Sequence, residues 1–189
     1  MKEIQGSYYF RYMGRSQFKK LYELAQSPSF LHLHQKIYLY GSSGLGKSHL
    51  LAALADFLIC TGERVVYIPD CLTLAQDFIG AMKDAFCFAF PESVNAIASF
   101  EHVNDLVEFS GNKRTGGVPF YIIVDQLNAL EFNKLQPSKA DAKLSLERIT
   151  YGHRYIFSAS ANEQSNQRAN ERQSATTVMK LHGGMDDVC

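Results

Sequence analysis

The chain alternates between stretches with apolar residues at helical spacing and shorter runs of β-branched and aromatic residues. The helical spacing predicts helices at residues 18–25, 46–61, 75–86, 91–107 and 138–149. The shorter runs predict strands at residues 36–40, 64–68, 120–124 and 155–158. Strands that alternate with helices are typical of a parallel sheet covered by helices on both faces. The predicted fold class is therefore α/β.

Local signals predict where some of these elements begin and end. Gly62 stands where the C-terminal cap of the second helix belongs. Ser138 and Asp141 form a capping-box pattern that would open the last helix. Residues 110–119 contain Gly, Asn and Pro, and this composition predicts a loop.

Length, composition and charge limit the function classes. The chain has 189 residues, of which 46% are hydrophobic and 20% charged, so it fits one domain with a sizeable core and is not a disordered chain. Lys+Arg and Asp+Glu each number 19, which gives a net charge of zero. The charge of the whole domain therefore gives no argument for nucleic acid or for an anionic membrane, although a local basic patch stays open.

Three further sequence features predict an intracellular protein of the cytoplasm or nucleus. The longest apolar stretch, residues 49–60, contains Asp56 and is too short to cross a bilayer, so we expect no membrane partner. Residues 1–7 lack the apolar region of a secretory signal peptide. The four cysteines show no CxxC pairing, and we interpret them as reduced thiols.

Residues 41–48 match the phosphate-binding pattern Gly-x-x-x-x-Gly-Lys-Ser/Thr at every fixed position, between a predicted strand and a predicted helix. The glycines let consecutive backbone N–H groups point at phosphate oxygens, and the following helix adds its N-terminus. Lys47 would reach the β- and γ-phosphates of ATP, and the Ser48 hydroxyl would ligate Mg²⁺. The predicted cofactor-binding residues here are Gly41, Ser42, Ser43, Gly44, Leu45, Gly46, Lys47 and Ser48.

The apolar strand at residues 120–124 is followed by Asp125, a pattern typical of the Walker B aspartate that holds Mg²⁺ opposite Ser48. The alternative is an Asp that ends a strand as a turn former. Gln126 follows where many ATPases of this class have Glu. Glutamine cannot accept a proton from the attacking water, although it can position that water. We predict Lys47, Asp125 and Gln126 as the catalytic residues, with slow hydrolysis or a nucleotide-binding switch both open.

Small polar residues follow the strand predicted at residues 155–158. Ser160 and Asn162 are suited to contact the γ-phosphate of ATP and thereby sense it. A plain strand end with a polar turn is the alternative. GTP is disfavoured because Asn133-Lys134-Leu135-Gln136 has Gln in place of the Asp of the guanine-specific motif and does not follow a strand.

Several segments together resemble the P-loop NTPase domain of Crinkler-type proteins, including their trypanosome retrotransposon-hot-spot relatives. The Walker motifs are generic, and residues 69–71 and 125–130 carry the more specific part. Residues 46–53 also resemble AAA+ helicase loaders and replication initiators, which makes nucleic acid a permissible partner by analogy of fold. The Crinkler resemblance rests on residues 14–18, 40–54, 65–71, 124–130, 158–162 and 183–185.

The Crinkler resemblance implies an ATPase module of the additional-strand, AAA+-like class of P-loop NTPases. Members often carry an N-terminal targeting header and a C-terminal effector domain, and some are secreted effectors that act in host nuclei. This chain shows no such header and stops soon after Met185, so the resemblance implies a truncated member. We expect one NTPase domain over residues 1–189, with a helical lead-in at 1–35 and a nucleotide-binding core at 36–182.

Three functions stay open at the level of sequence. The first is a P-loop ATPase that binds Mg·ATP and hydrolyses it slowly. The second is a nucleotide-dependent switch or assembly module that barely turns ATP over, with nucleic acid or a homo-oligomer as its assembly partner. The third is a small-molecule phosphotransferase, for which the sequence has no acceptor-binding signature.

Overall fold

The computed structural model describes residues 2–4, 7–9, 16–27, 30, 36–130, 137–160 and 176–181. The strands are β1 (Lys2–Ile4), β2 (Ser7–Tyr9), β3 (Lys36–Gly41), β4 (Val65–Ile68), β5 (Tyr121–Val124), β6 (Arg154–Ser160) and β7 (Thr176–Lys180). The helices are α1 (Ser16–Ala25), α2 (Lys47–Cys60), α3 (Cys71–Gln76), α4 (Phe78–Ala89), α5 (Val94–Ala98), α6 (Val103–Thr115) and α7 (Pro137–Thr150), with 3₁₀ turns at Pro91–Ser93 and Leu127–Leu130.

The main sheet contains five parallel strands in the order β4-β5-β6-β3-β7, and β1 pairs antiparallel with β2 in a separate ribbon. β6 lies between β3, which precedes the glycine-rich loop, and β5, which precedes Asp125. An extra strand at this place is the hallmark of the additional-strand, AAA+-like class of P-loop ATPases. The predicted fold class is therefore confirmed. Because the strands are parallel, their carboxyl ends lie at one edge of the sheet.

Helices cover both faces of the sheet because side chains alternate along each strand. Tyr121 and Ile123 of β5 pack in one buried cluster with residues of α1 and α2. Ile122 and Val124 pack on the opposite face in a cluster that includes residues of α3, α4, α6 and α7. None of the described helices is long and apolar enough to cross a membrane.

The end of α2 follows the sequence prediction in detail. Gly62 has a φ of 89°, a left-handed conformation that glycine adopts without steric cost. Its N–H donates to the carbonyl of Ile59, and the N–H of Glu63 donates to the carbonyl of Leu58. This pair of hydrogen bonds is a Schellman cap.

Two predicted helices are each divided in the structure. The stripe at residues 75–86 falls into α3 and α4, because Asp77 ends α3 and its carboxylate accepts the N–H of Gly80 to begin α4. The helix predicted over residues 91–107 is a 3₁₀ turn followed by α5 and α6. Helix α7 begins at Pro137, so Ser138 lies inside its first turn and not at its N-cap.

The loop predicted at residues 110–119 is wrong over its first half, because α6 continues to Thr115. Ser110 is buried, and its hydroxyl donates to the carbonyl of Ile149 in α7 at 2.8 Å. The ammonium of Lys113 lies over the rings of Phe90 and Phe109. Ile149 and Phe90 come from distant parts of the chain, so the local composition could not reveal them. Strand β7 at the sheet edge was also missed.

Candidate functional site

A cavity of about 500 Å³ lies at the carboxyl edge of the sheet. The glycine-rich loop after β3 forms one wall, and residues at the ends of β5 and β6 form the other. The lining residues that bear on its chemistry are Gly44, Lys47, Ser48, Asp125, Gln126 and Ser158. The sheet thus brings together two sequence motifs that are almost eighty positions apart in the chain.

The loop has the backbone that a phosphate site needs. Gly44 and Gly46 have φ values of 81° and 75°, in the left-handed region that favours glycine. Gly46 is the N-cap of α2 and has no side chain with which to cap the helix. The first N–H groups of α2 are therefore left for a ligand, at the positive end of the helix dipole.

Lys47 lies within this loop. Its Nζ donates hydrogen bonds to the carbonyls of Gly41 and Ser42, both at 2.8 Å. Burial lowers the pKa of the Lys47 ammonium, and the negative charge of Asp125 acts in the opposite direction. The flexible side chain can exchange these neutral carbonyls for the charged oxygens of a phosphate, which make stronger hydrogen bonds.

Asp125 is 1% exposed, and its two carboxylate oxygens differ in their partners. Oδ1 accepts the backbone N–H of Gln126 at 3.0 Å and the hydroxyl of Ser158. Oδ2 has no hydrogen-bond partner among the described residues. A buried carboxylate oxygen without a partner is costly, and a cation would remove that cost.

The donor set fits Mg²⁺. The Ser48 hydroxyl and the Asp125 carboxylate are hard oxygen donors, both residues line the cavity, and Mg²⁺ ordinarily uses one or two such groups together with water and substrate phosphates. The described residues contain no group of three or more His, Cys, Asp or Glu side chains that could form a metal cage by themselves. Such a site would therefore depend on the nucleotide for further ligands.

Two side chains on the β4 side respond to the charge of the Asp125 carboxylate. Burial raises the pKa of Tyr67 and of the Cys71 thiol to about 12, and the charge of Asp125 adds to both shifts. Both groups are therefore uncharged at neutral pH. Neither therefore adds a second negative charge beside Asp125.

Gln126 has a φ of 59° and is the one non-glycine residue of the described chain with positive φ. Its N–H is shared between Asp125 Oδ1 and the hydroxyl oxygen of Ser158, at 3.0 and 3.2 Å. Its carbonyl accepts the N–H of Ala129 at the start of the 3₁₀ turn. The left-handed backbone costs about 1 to 2 kcal/mol, and these hydrogen bonds hold it in place. The Gln126 side chain is exposed beside the cavity.

For the other predicted site residues the structure gives fewer contacts. Ser160 ends β6 and pairs in register with Gly41. The side chain of Ser160 and the whole of Asn162 lie outside what the structure describes. A Cβ at Gly41 would lie 3.1 Å from the carbonyl oxygen of Leu181, which favours glycine at this close approach. Ser42, Ser43 and Leu45 belong to the loop.

Sequence reasoning missed Ser158 as a site residue. It is fully buried in β6, next to Asp125 across the paired strands, because Val124 pairs with Phe157. One signal was available in the sequence, since Ser158 is a small polar residue directly after the apolar run Tyr155–Phe157. The register between β5 and β6, which the sequence alone does not give, decides its partner.

Residues 16–133 match the sequence model of one protein family, described as the bacterial DnaA ATPase domain. The chain belongs to this family. Its curated relatives include the chromosomal replication initiator protein DnaA of Buchnera aphidicola subsp. Baizongia pistaciae (strain Bp), which is 29% identical over 136 residues. The match covers 67% of this chain but only 28% of that protein. This DnaA-family chain thus spans little more than a quarter of the length of the relative.

Two solved structures share the fold of this DnaA-family domain. The ORC2 protein of Aeropyrum pernix, in ADPNP–ADP complexes, matches with a TM-score of 0.53 at 16% identity, over 89% of this chain and 46% of that one. Cdc6p of Pyrobaculum aerophilum matches with a TM-score of 0.51 at 14% identity, over 87% of this chain and 44% of that one. At these identities the likeness concerns the fold alone.

The resemblance to Crinkler-type domains is wrong, because the family that matches is that of DnaA. The segments that carried the more specific part of that resemblance lie within residues 16–133, which match the DnaA model. The likeness of residues 46–53 to replication initiators pointed to the right group. The expectations of a truncated Crinkler member and of secreted effectors in host nuclei rested on the overturned resemblance and lose that support.

Proposed function

We propose that this DnaA-family domain binds ATP together with Mg²⁺ in the cavity at the carboxyl edge of the sheet and hydrolyses it slowly. One observation carries the proposal: the same cavity is lined by an uncapped helix N-terminus, a lysine and a buried carboxylate, one oxygen of which has no partner among the described residues. Family membership supports it. The structure of the fold relative ORC2 is a complex with ADPNP and ADP, which is consistent with nucleotide binding at this fold.

Each residue then has a role that its geometry supports. The N–H groups of the loop and of the first turn of α2 would bind phosphate oxygens. Lys47 would leave the carbonyls of Gly41 and Ser42 for the β- and γ-phosphates. Ser48 and Asp125 would hold Mg²⁺, which when bound neutralises charge on the phosphates.

Gln126 is the reason that we propose slow hydrolysis. An amide can orient a water molecule but cannot accept its proton, so the general-base contribution of a carboxylate at this position is missing. The same feature supports a second candidate, a switch that binds ATP and barely turns it over. For the whole protein we propose nucleic acid and further copies of the chain as partners, since the relative in the family is a chromosomal replication initiator.

Lys47→Ala tests the nucleotide site. We expect the variant to bind a fluorescent ATP analogue roughly 10- to 100-fold more weakly than the wild type, because it loses charge-assisted hydrogen bonds to phosphate. Phosphate release from Mg·ATP should fall to background. Both measurements follow a check by circular dichroism that the proteins are folded.

Lys83→Ala is the matched control. The Nζ of Lys83 also donates to two backbone carbonyls, those of Ala98 and Phe100, but it lies outside the cavity. We expect the control to bind the ATP analogue and to release phosphate as the wild type does. Binding without phosphate release in the wild type would favour the switch, and a folded wild type that does not bind ATP would overturn both candidates.

A further inference from the structure

We propose that Ser158 is a positioning residue for the Mg²⁺ site: its hydroxyl fixes the carboxylate of Asp125 so that Oδ2 stays available to the cation. This inference rests on the proposed Mg·ATP function. It assigns a role to a residue that touches neither the cation nor the nucleotide in our proposal.

The sheet places Ser158 inside the protein, directly beside Asp125. Ser158 has no exposed surface, and Val124 and Phe157 pair in register directly before Asp125 and Ser158. Apolar residues precede it in β6, and Ala159 follows it. A hydroxyl in such a position must find its hydrogen-bond partners within the protein, because an unpaired one would be costly.

The partners of the Ser158 hydroxyl are Asp125, the proposed Mg²⁺ ligand, and Gln126, the residue proposed to orient water. The Ser158 hydroxyl donates to Asp125 Oδ1 and accepts the backbone N–H of Gln126 at 3.2 Å. The same N–H also reaches Asp125 Oδ1 at 3.0 Å. Three groups therefore form a closed arrangement in which Oδ1 has two donors and Oδ2 has none among the described residues.

This arrangement determines the plane of the carboxylate. The terminal torsion of an aspartate is broad, so an unsupported carboxylate samples many orientations. Two donors on Oδ1 restrict that torsion and thereby direct Oδ2. Partners that orient a metal ligand in this way typically change metal affinity by 10- to 100-fold when they are removed.

A purely structural role makes a different prediction. If Ser158 only satisfied a buried carboxylate, its removal would lower the free energy of unfolding without changing how nucleotide binding depends on the cation. A positioning role changes the cation dependence in the folded protein. The two roles are separated by measuring binding with and without a divalent cation.

Ser158→Ala is the first test, with Mn²⁺ in the presence of ATP as the probe, followed by electron paramagnetic resonance. We expect the apparent Mn²⁺ affinity to fall roughly tenfold or more. Binding of a fluorescent ATP analogue in excess chelator should stay within about twofold of the wild type, because the phosphate loop is untouched. An unchanged Mn²⁺ affinity would overturn the inference.

Ser110→Ala is the matched control. Ser110 is also a buried serine whose hydroxyl has a protein acceptor, the carbonyl of Ile149, but it lies away from the cavity. We expect no change in Mn²⁺ affinity in this variant. An equal loss in both serine variants would assign the effect to general loosening of the fold and overturn the positioning role.

Ser158→Thr and Ser158→Val separate the hydroxyl from side-chain volume, since the two replacements have nearly the same shape. The threonine variant should keep most of the Mn²⁺ affinity that the valine variant loses. Equal Mn²⁺ affinities in the threonine and valine variants would contradict the inference. If neither of these variants folds, the result for Ser158→Ala decides. A folded wild type that binds no nucleotide with or without cation would instead overturn the proposed function itself.

Discussion

Gln126 combines an unusual backbone with an unusual side chain for its position. Its left-handed conformation is held by hydrogen bonds to Asp125, Ser158 and Ala129, so the side chain leaves the backbone in a fixed direction beside the cavity. The strained backbone and the side chain proposed to orient the attacking water thus belong to the same residue. In the proposed site, an amide at this point would limit the residue to orienting water.

Gln126→Glu should raise the rate of ATP hydrolysis. A carboxylate in this position can accept a proton from the attacking water, and general bases contribute on the order of 100- to 10,000-fold. We expect at least a tenfold rise in phosphate release under single turnover. Gln126→Ala is the control, and we expect it to release phosphate no faster than the wild type. Equal rates in the wild type and both variants would place the attacking water away from this side chain.

His153 is a buried titratable group outside the cavity. Its Nε2 lies 3.1 Å from the carbonyl oxygen of Ser110, its ring packs on Phe120, and its Nδ1 has no hydrogen-bond partner among the described residues. Burial lowers the pKa of His153 to about 4; the hydrogen bond to Ser110 opposes this shift and the charge of Arg114 adds to it.

The free energy of unfolding should therefore fall as the pH is lowered from about 6.5 to about 4. In that window the unfolded chain binds a proton on this histidine and the folded protein does not, so protonation favours unfolding. The full effect is roughly 3 kcal/mol, reached below the folded-state pKa. Urea unfolding across this range measures it. His153→Phe should flatten the dependence, and an unchanged slope in that variant would refute the assignment.

At the level of elements, the break between α3 and α4 depends on a cap. The Asp77 carboxylate accepts the N–H of Gly80 at 2.9 Å, and a Cβ at Gly80 would collide with that carboxylate. Glycine is a poor helix former, so its presence in the first turn of α4 reflects the space that the cap needs.

The effect of Gly80→Ala on the free energy of unfolding should therefore depend on whether Asp77 is present. In the Asp77→Ala background it should stabilise the protein by about 1 kcal/mol through helix propensity, whereas in the wild type the lost cap should cancel or reverse that gain. Urea unfolding of the wild type, the two single variants and the double variant gives the coupling free energy between the two positions. Gly111→Ala in α6, where a Cβ would meet nothing within 4 Å, should stabilise in either background. If the effects of Asp77→Ala and Gly80→Ala on the free energy of unfolding are additive, the Asp77 cap does not explain the glycine at position 80.

At the scale of the whole molecule, α1 is attached to the sheet by polar contacts as well as by its apolar face. The hydroxyl of Tyr121 in β5 donates to the carbonyl of Ala25 at 3.1 Å and accepts from the side-chain amide of Gln26 at 3.0 Å. The guanidinium of Arg154 lies over the Tyr121 ring and pairs with Glu63 at 3.1 Å. We propose that the N-terminal helix and the nucleotide-binding core are one folding unit.

Tyr121→Phe tests this proposal. The variant leaves a carbonyl and an amide near α1 without their partner, which should cost about 1 kcal/mol. Amide hydrogen exchange should become faster in residues 16–25 while the strands stay protected. Tyr155→Phe in β6, which removes a hydroxyl from the buried cluster on the opposite face of the sheet, is the control and should leave that exchange unchanged. Equal exchange in all three proteins would show that the tyrosine hydroxyl does not hold the helix.

How far the sequence could predict this molecule depends on the range of each interaction. The phosphate loop, its flanking strand and helix, and the cap at Gly62 depend on backbone preferences within a few neighbouring residues, so the sequence predicted them and the structure has them. The catalytic and metal-binding roles of Lys47, Ser48, Asp125 and Gln126 are still predictions, although these residues line one cavity. The Crinkler resemblance failed although it rested on more than the Walker motifs, because its more specific segments also lie in the stretch that matches the DnaA family.

The sequence by itself determined the alternation of strands and helices and the contiguous phosphate loop, because periodicity and glycine conformation are local properties. Only the tertiary structure decided the insertion of β6 between β3 and β5, the pairing of β7 and the contact between Ser158 and Asp125. It also decided that α6 continues to Thr115. These features depend on strand register and on partners tens of residues away, and the free energy of such contacts belongs to pairs that no single stretch of sequence contains.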